Sequence, residues 1–277
     1  MSPVELLESA LARLEAVNPL INAVVDRFAE EAFAQARSLT GEEPLACETA
    51  LALFGPTRNP WNRERSVGGS SGGAAVAAGI VPAAHATDGG GSIRIPSSNT
   101  GTFGLKPTRG RNPFGPDLGE GWNGLSVHHA ITRSVRDSAA LLDATHGPEP
   151  GDPYAAPRFD GRYLDLVERD PAPLRVAFQT VDHEGRAVDP AAAKAVTDAA
   201  ALLESLGHRV EEASPGVDGA ALKRATRIIV ASNIANVLRA REEALGRPIE
   251  PDELEPITRL WAGESARYSG ADLARSI

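Results

Sequence analysis

The sequence is short of the residues that usually staple a fold, hold a metal or supply an amine base. Its 277 residues contain one cysteine, Cys47, so no internal disulfide and no cysteine-based metal site can form. The reducing cytoplasm is the expected compartment. Lys106, Lys194 and Lys223 are the only lysines, and the other basic residues are arginines. Long apolar runs are missing as well: the longest, residues 74–86, is too short to span a bilayer and carries Pro82 and His85. The start, Ser2-Pro3-Val4-Glu5, has neither the basic nor the apolar region of a signal peptide. The balance of 28 Lys and Arg against 37 Asp and Glu gives a net charge of −9. A general nucleic-acid binder would show a clustered basic face instead. A soluble protein with neither nucleic acid nor membrane as partner is expected.

Cofactor motifs are also missing. There is no Gly-Lys-Ser or Gly-Lys-Thr, and therefore no P-loop. The glycines at 68–73 follow a polar stretch rather than a strand, which argues against a dinucleotide fingerprint. His128 and His129 are adjacent and no His-Glu-x-x-His occurs, so the six histidines read as surface or core residues rather than metal ligands. No cofactor and no metal are expected.

At 29.0 kDa the chain is long enough for one large domain or two small ones. Residues 2 to about 17 read as an amphipathic helix, with Ser2 as N-cap, Pro3 at the first helical position and Glu5 completing a capping box. Leu6, Leu7, Leu11, Leu14 and Val17 recur at helical spacing and are expected to face a core. Residues 28–38 form a second, alanine-rich helical run, followed by a polar break at 40–44. Residues 174–178 read as a strand, and Asp189 caps a helix from Pro190 to Leu206 that stops at Gly207. Residues 208–211 read as a second strand, completing a βαβ unit. A long helix over about 220–245 follows, and Ser269-Gly270-Ala271-Asp272 caps a helix that has barely begun at Ile277. That ending predicts an interrupted architecture.

Glycine is concentrated between Gly55 and residue 157, around two serine-bearing clusters. Gly68-Gly69-Ser70-Ser71-Gly72 has the Gly-x-Ser-x-Gly form of a nucleophile elbow, which needs a strand immediately before it and a helix after it. The helix has a candidate from Ala74 onward, but the strand has none. In Thr87-Asp88-Gly89-Gly90-Gly91-Ser92-Ile93-Arg94, three glycines leave backbone N–H groups unobstructed. A curl there would converge those donors on one point, as an oxyanion hole requires. Asp88 and Arg94 flank the loop with opposite charges and are placed to pin it as an ion pair. On physics alone, a flexible turn with an incidental serine competes with that reading.

Taken together, these clusters resemble the amidase signature family of serine hydrolases. The resemblance covers residues 68–73, 83–96 and 104–111, with 54–62 and 132–137 as flanking stretches. It is specific over about 53–157 and closest to bacterial amidases of the kind acting on cyclic or linear amides of amino acids. The fold it implies is α/β, a mixed β-sheet with helices on both faces, incomplete in this chain. It implies a single amidase-signature domain over 1–277: a helical N-terminal part (about 1–45), the signature core (about 53–157) and C-terminal βαβ and helices (158–277). It implies that Ser92 is the nucleophile forming an acyl-enzyme, and that Ser70, held in a cis peptide bond, relays the proton. Gly89, Gly90 and Gly91, with the Ser92 N–H, would form the oxyanion hole, supported by Ser71, Asp88 and Arg94. The partner implied is a small-molecule amide substrate.

The sequence departs from that family in one catalytic element. The family's third member is a lysine on an early strand, due here between residues 39 and 54, and that interval contains no lysine. The Ser70–Ser92 spacing is also about two residues short, equivalent to roughly 200° of rotation and 3 Å of rise if the loss falls in a helix. A serine hydroxyl without a base is a poor nucleophile, and losing general-base assistance costs about 10² to 10⁴ in rate. Three readings follow: an impaired amidase, a hydrolase of esters with a substitute base, or a non-catalytic binder of amides or carboxylates. Strands missing from a sheet expose its edges and favour association, which leaves a homodimer open.

Overall fold

The computed structural model describes residues 2–24, 56–116 and 118–277. The helical run at 28–38, the polar break at 40–44, Cys47 and the lysine-free interval 39–54 lie outside the described residues. The chain forms two compact units, Met1–Glu168 and Arg169–Ile277, and each is described by itself.

The first unit opens with helix α1 (Pro3–Ile21). The Ser2 hydroxyl accepts the Glu5 N–H at 3.2 Å and the Glu5 carboxylate accepts the Ser2 N–H at 2.6 Å, which is the capping box expected. The helix runs four residues past Val17, where it was expected to end, and passes through Pro19. Asn18 explains the extension: its Oδ1 accepts the N–H groups of Ala23 and Val24 at 2.8 and 2.9 Å, while Asn22 closes the helix in the left-handed region at φ 48°. Leu14 and Val17 pack against a core of Ile21, Ala23, Val67, Ala74, Ala75, Ala78 and Ile80. Leu6, expected at the core, is instead exposed, because the packed part of the helix begins near Leu14.

Helix α2 (Gly73–Ala77) is short and built from small residues, four of them buried. Its size lets it serve two cores, with Ala74 and Ala75 facing α1 and Val76 facing a sheet with Ala84, Ala86, Ile93 and Ile131. That sheet comprises β1 (Ala83–Asp88), β2 (Phe103–Gly104) and β3 (Val127–Thr132), with helix α3 (Arg94–Thr100) between the first two in sequence. The spatial order is β1-β3-β2 and both pairings are antiparallel, β1 running from Ala83 opposite Thr132 to Asp88 opposite Val127. Gly104 is required where β2 meets α3: a Cβ there would run into the Ser97 side chain. Helix α4 (Val135–Thr145) is capped by the Ser134 hydroxyl, and helix α5 (Tyr163–Leu166) by the Asp143 carboxylate, which accepts the N–H groups of Tyr163 and Leu164.

The second unit carries the expected βαβ element. Strands β4 (Arg175–Phe178) and β5 (Arg209–Glu212) pair in parallel, joined by helix α6 (Pro190–Ser205), whose N-cap Asp189 accepts the Ala191 N–H at 2.8 Å. Helix α7 (Gly219–Leu245) then packs against α8 (Pro256–Ser265) and α9 (Gly270–Ser276). Arg227 ties α7 to α8 by pairing with Glu264 at 2.6 Å. The architecture is α/β as expected, with the strands divided between an antiparallel sheet and a parallel pair. Among the described residues, no helix is long and apolar enough to cross a membrane.

β3 is tied to α4 by a buried polar contact between His129 Nε2 and the Ser138 hydroxyl, 2.7 Å apart. Burial, reinforced by the nearby His85, pushes the His129 pKa down to about 4. Unfolding restores an ordinary imidazole value near 6.5, so the unfolded chain binds the extra proton between about pH 6.5 and 4. Stability therefore falls as pH drops through that window, by an amount on the order of 3 kcal/mol from His129. His128 is lowered too, by burial and then by His85, and adds to the same trend. Urea unfolding at pH 7 and pH 4.5 is expected to show this loss, and His129→Gln to reduce the difference between the two pH values.

Candidate active site

Two loops converge at the start of two short helices. Ser70 lies in the turn before α2, and Ser92 in the turn before α3. These helices pack against each other at Gly73, where a Cβ would sit 3.2 Å from Pro96 Cβ. As a result the two hydroxyls meet: Ser70 Oγ donates to Ser92 Oγ at 3.2 Å. The shortened spacing between the serines therefore does not separate them.

The Ser70 loop is shaped by its glycines. Gly68 has φ 75°, and a Cβ there would fall 2.7 Å from Asn99 Nδ2 and Ile95 Cγ2. The Gly69–Ser70 peptide bond is cis, as the resemblance implies. Ser71 anchors the loop to β1, its hydroxyl accepting the Thr87 N–H at 3.2 Å and donating to the Thr87 carbonyl at 3.3 Å. No strand precedes Ser70, where the nearest ladder contact is the isolated bridge between Arg58 and Ser66, so a nucleophile elbow is not formed. At the other end of α3, Asn59 and Trp61 side chains donate to the carbonyls of Asn99 and Thr100 at 2.7 and 2.6 Å.

Asp88 organises the Ser92 loop from below. It ends β1 with no exposed surface, and one oxygen accepts the Gly91 N–H at 2.8 Å. The other faces the N–H groups of Ile93 and Arg94 at 3.3 and 3.4 Å, and the Arg94 guanidinium bonds both oxygens at 2.9 Å. Burial works against ionisation of Asp88. The Arg94 side chain, its charge and the backbone donors outweigh it and hold the carboxyl below its usual value. The ion pair read from the sequence is therefore present, and Arg94 is correspondingly raised, chiefly by its bond to Asp88.

The three glycines differ in role. The Gly91 N–H is taken by Asp88, and its φ of 130° with Ile95 Cδ1 2.6 Å from a would-be Cβ leaves room for glycine alone. Gly89 is covered by the Trp122 ring. Gly90 borders open space. Among the described residues, the N–H groups of Gly89, Gly90 and Ser92 have no hydrogen-bond partner. They are the donors available to a ligand oxygen.

Among the described residues no base touches either serine. Lys106 Nζ donates to the Pro107 carbonyl at 3.4 Å, Lys194 pairs with Asp198 at 2.6 Å, and Lys223 lies 3.9 Å from Glu184. His85 Nε2 faces His128 Nδ1 at 3.3 Å on the sheet. Sequence reasoning also missed Trp122, because no local pattern in Gly119–Gly124 signals that this ring returns to the glycine loop.

Asp88→Asn is expected to lower unfolding free energy at pH 7 by about 1–3 kcal/mol, since it removes the charge while leaving buried donors to satisfy. Because the folded Asp88 value is depressed, its contribution is complete above the ordinary carboxylate range and is lost only below it. Urea melts of wild type and variant are therefore expected to converge only in strong acid.

Comparison with known proteins identifies the family. A sequence model of the Amidase family matches residues 42–269. A 6-aminohexanoate-cyclic-dimer hydrolase of Paenarthrobacter ureafaciens is 45% identical over 214 residues, covering 75% of this chain and 43% of that protein. One from Pseudomonas sp. (strain NK87) is 44% identical over 223 residues, covering 78% and 45%. The structure of 6-aminohexanoate cyclic dimer hydrolase complexed with substrate superposes with a TM-score of 0.90 at 32% identity, covering all of this chain and 71% of that one. A bacterial aryl acylamidase of the amidase signature enzymes shares the fold, with a TM-score of 0.86 at 24% identity. The chain thus spans a little under half the length of these curated relatives. With a family model matching residues 42–269, most of its length, this chain belongs to the amidase family.

Proposed function

We propose that this chain is an amide-bond hydrolase working through an acyl-enzyme on Ser92, slowed because no base lies beside its serines among the described residues. The observation that carries the reading is the 3.2 Å contact between Ser70 and Ser92 beside the three unpartnered N–H groups. In the first step Ser92 Oγ bonds to the amide carbonyl carbon and passes its proton to Ser70. Ser70 gives its own proton to the leaving nitrogen as the C–N bond breaks, so Ser70 ends unchanged, the amine gains one proton and Ser92 carries the acyl group. Negative charge on the carbonyl oxygen is met by the N–H groups of Gly89, Gly90 and Ser92. Gly91 shapes the loop and holds Asp88 rather than the substrate. Asp88 and Arg94 keep the loop curled, and Ser71 keeps Ser70 over it. Water then attacks the ester carbon, releasing the acid and restoring Ser92. The names of two relatives, both 6-aminohexanoate-cyclic-dimer hydrolases, suggest cyclic amides of amino acids as the substrate class.

The missing base sets the rate. No lysine occurs between residues 39 and 54, and among the described residues neither hydroxyl has a titratable partner. The same observation favours a second reading, a catalytically silent binder of amides or carboxylates. The site is read as cytoplasmic and cofactor-independent in both cases.

Fluorophosphonate labelling followed by intact mass separates these readings. The expected result is labelling of Ser92 at a rate lower than that of the solved cyclic-dimer hydrolase by about 10² or more. Ser92→Ala should abolish it, and Ser70→Ala should slow it further. Labelling that persists in Ser92→Ala would remove the nucleophile assignment, and labelling at the relative's full rate would remove the impairment. A folded chain that takes no label is the silent binder.

A further inference from the structure

Trp122 occupies an unusual place in the chain. It has φ 52° and is followed by Asn123 at φ 52° and Gly124 at φ 79°, three consecutive residues in the left-handed region. A bulky side chain is rarely found there, and the surrounding structure must enforce it. The enforcement is visible. The Ser126 N–H donates to the Gly121 carbonyl at 3.0 Å, and the Leu125 N–H to the Trp122 carbonyl at 3.2 Å. Gly124 leaves no room beside Tyr154, whose ring would lie 2.8 Å from a Cβ. Gly121 is equally close to Phe114.

The turn so held lays the indole on the glycine loop. A Cβ on Gly89 would fall 2.7 Å from Trp122 Cε3 and 3.0 Å from Cζ3, so the ring rests on the Gly89 backbone. The ring is half-buried, and the neighbouring Gly90 borders open space. The loop that carries the three available N–H groups is therefore open beside Gly90 and flanked by an aromatic ring beside Gly89. Trp61, by contrast, spends its indole N–H on the Thr100 carbonyl in a structural tie.

We propose that Trp122 is the specificity-determining wall of this site, selecting amides with an unbranched apolar chain on the carbonyl. The inference rests on the reading of the Ser92 loop as an amide site. With the amide oxygen on the N–H groups of Gly89, Gly90 and Ser92, a chain leaving the carbonyl carbon across Gly89 lies along the indole face. Aromatic rings bury apolar chains well and lose little entropy in doing so. A charged or strongly hydrated group in that place would lose its water against the ring, where the Ser126 hydroxyl is the one polar atom beside Gly89.

The test is equilibrium binding of acetamide, butanamide and hexanamide, measured by ligand-observed NMR titration on the full chain. Wild type is expected to gain affinity by about ten-fold or more from acetamide to hexanamide, as buried methylenes accumulate. Trp122→Asn removes the ring while suiting the left-handed backbone, and is expected to cut the ratio of hexanamide to acetamide affinity to within about three-fold. Trp122→Phe keeps an aromatic face and is expected to retain most of the gain. An undiminished chain-length gain in Trp122→Asn would overturn the proposal. Gly90→Val places a side chain in the open space and tests the site itself. If acetamide binding survives Gly90→Val, the amide-site reading fails independently of Trp122. If no amide binds wild type, both fall.

Discussion

The site depends on one buried carboxylate. Asp88 sits at the end of β1 with no exposed surface, and its two oxygens gather the N–H groups of Gly91, Ile93 and Arg94 and the Arg94 guanidinium. A buried carboxylate is costly unless its lone pairs are filled, and these are filled by the loop that carries Ser92. The curl of that loop is therefore the condition under which Asp88 can be buried and ionised. Once curled, it leaves the N–H groups of Gly89, Gly90 and Ser92 without a partner among the described residues, next to the open space at Gly90.

Everything else at the site is arranged around that loop by packing of small residues. α2 consists of glycine, alanine and valine, which lets it lie close to α3 and brings Ser70 to Ser92. Ser71 binds both backbone groups of Thr87, the residue just before Asp88, so the two serine loops share one strand as their reference. The Trp122 turn closes the arrangement from β3, whose register against β1 places Val127 opposite Asp88. Larger side chains at Gly68, Gly89, Gly91 or Gly104 would each push one of these parts away.

Much of the local structure was legible in the sequence because it is local. The Ser2–Glu5 box, the Asp189 cap and the βαβ unit depend on residues close together in the chain. The Asp88–Arg94 pair was legible for the same reason, six residues apart across a loop that begins with three glycines. The helix end at Ile21 was not, because the apolar periodicity gives out at Val17 and the side-chain capping by Asn18 beyond it has no strong pattern. Leu6 was misjudged because helical periodicity identifies a face without saying how far along the helix a partner extends.

By itself the sequence determined the family, the two serine loops and the lack of a lysine between residues 39 and 54, because these are matters of residue identity and spacing. Tertiary structure decided which glycine N–H groups are free and which one Asp88 consumes, since that depends on how the loop curls around a buried charge. It also decided that Ser70 and Ser92 meet despite their shortened spacing, through the close packing of α2 on α3. Finally, it decided that an indole thirty residues beyond Ser92 lies on Gly89, a contact that sheet register and a left-handed turn create and no local pattern announces.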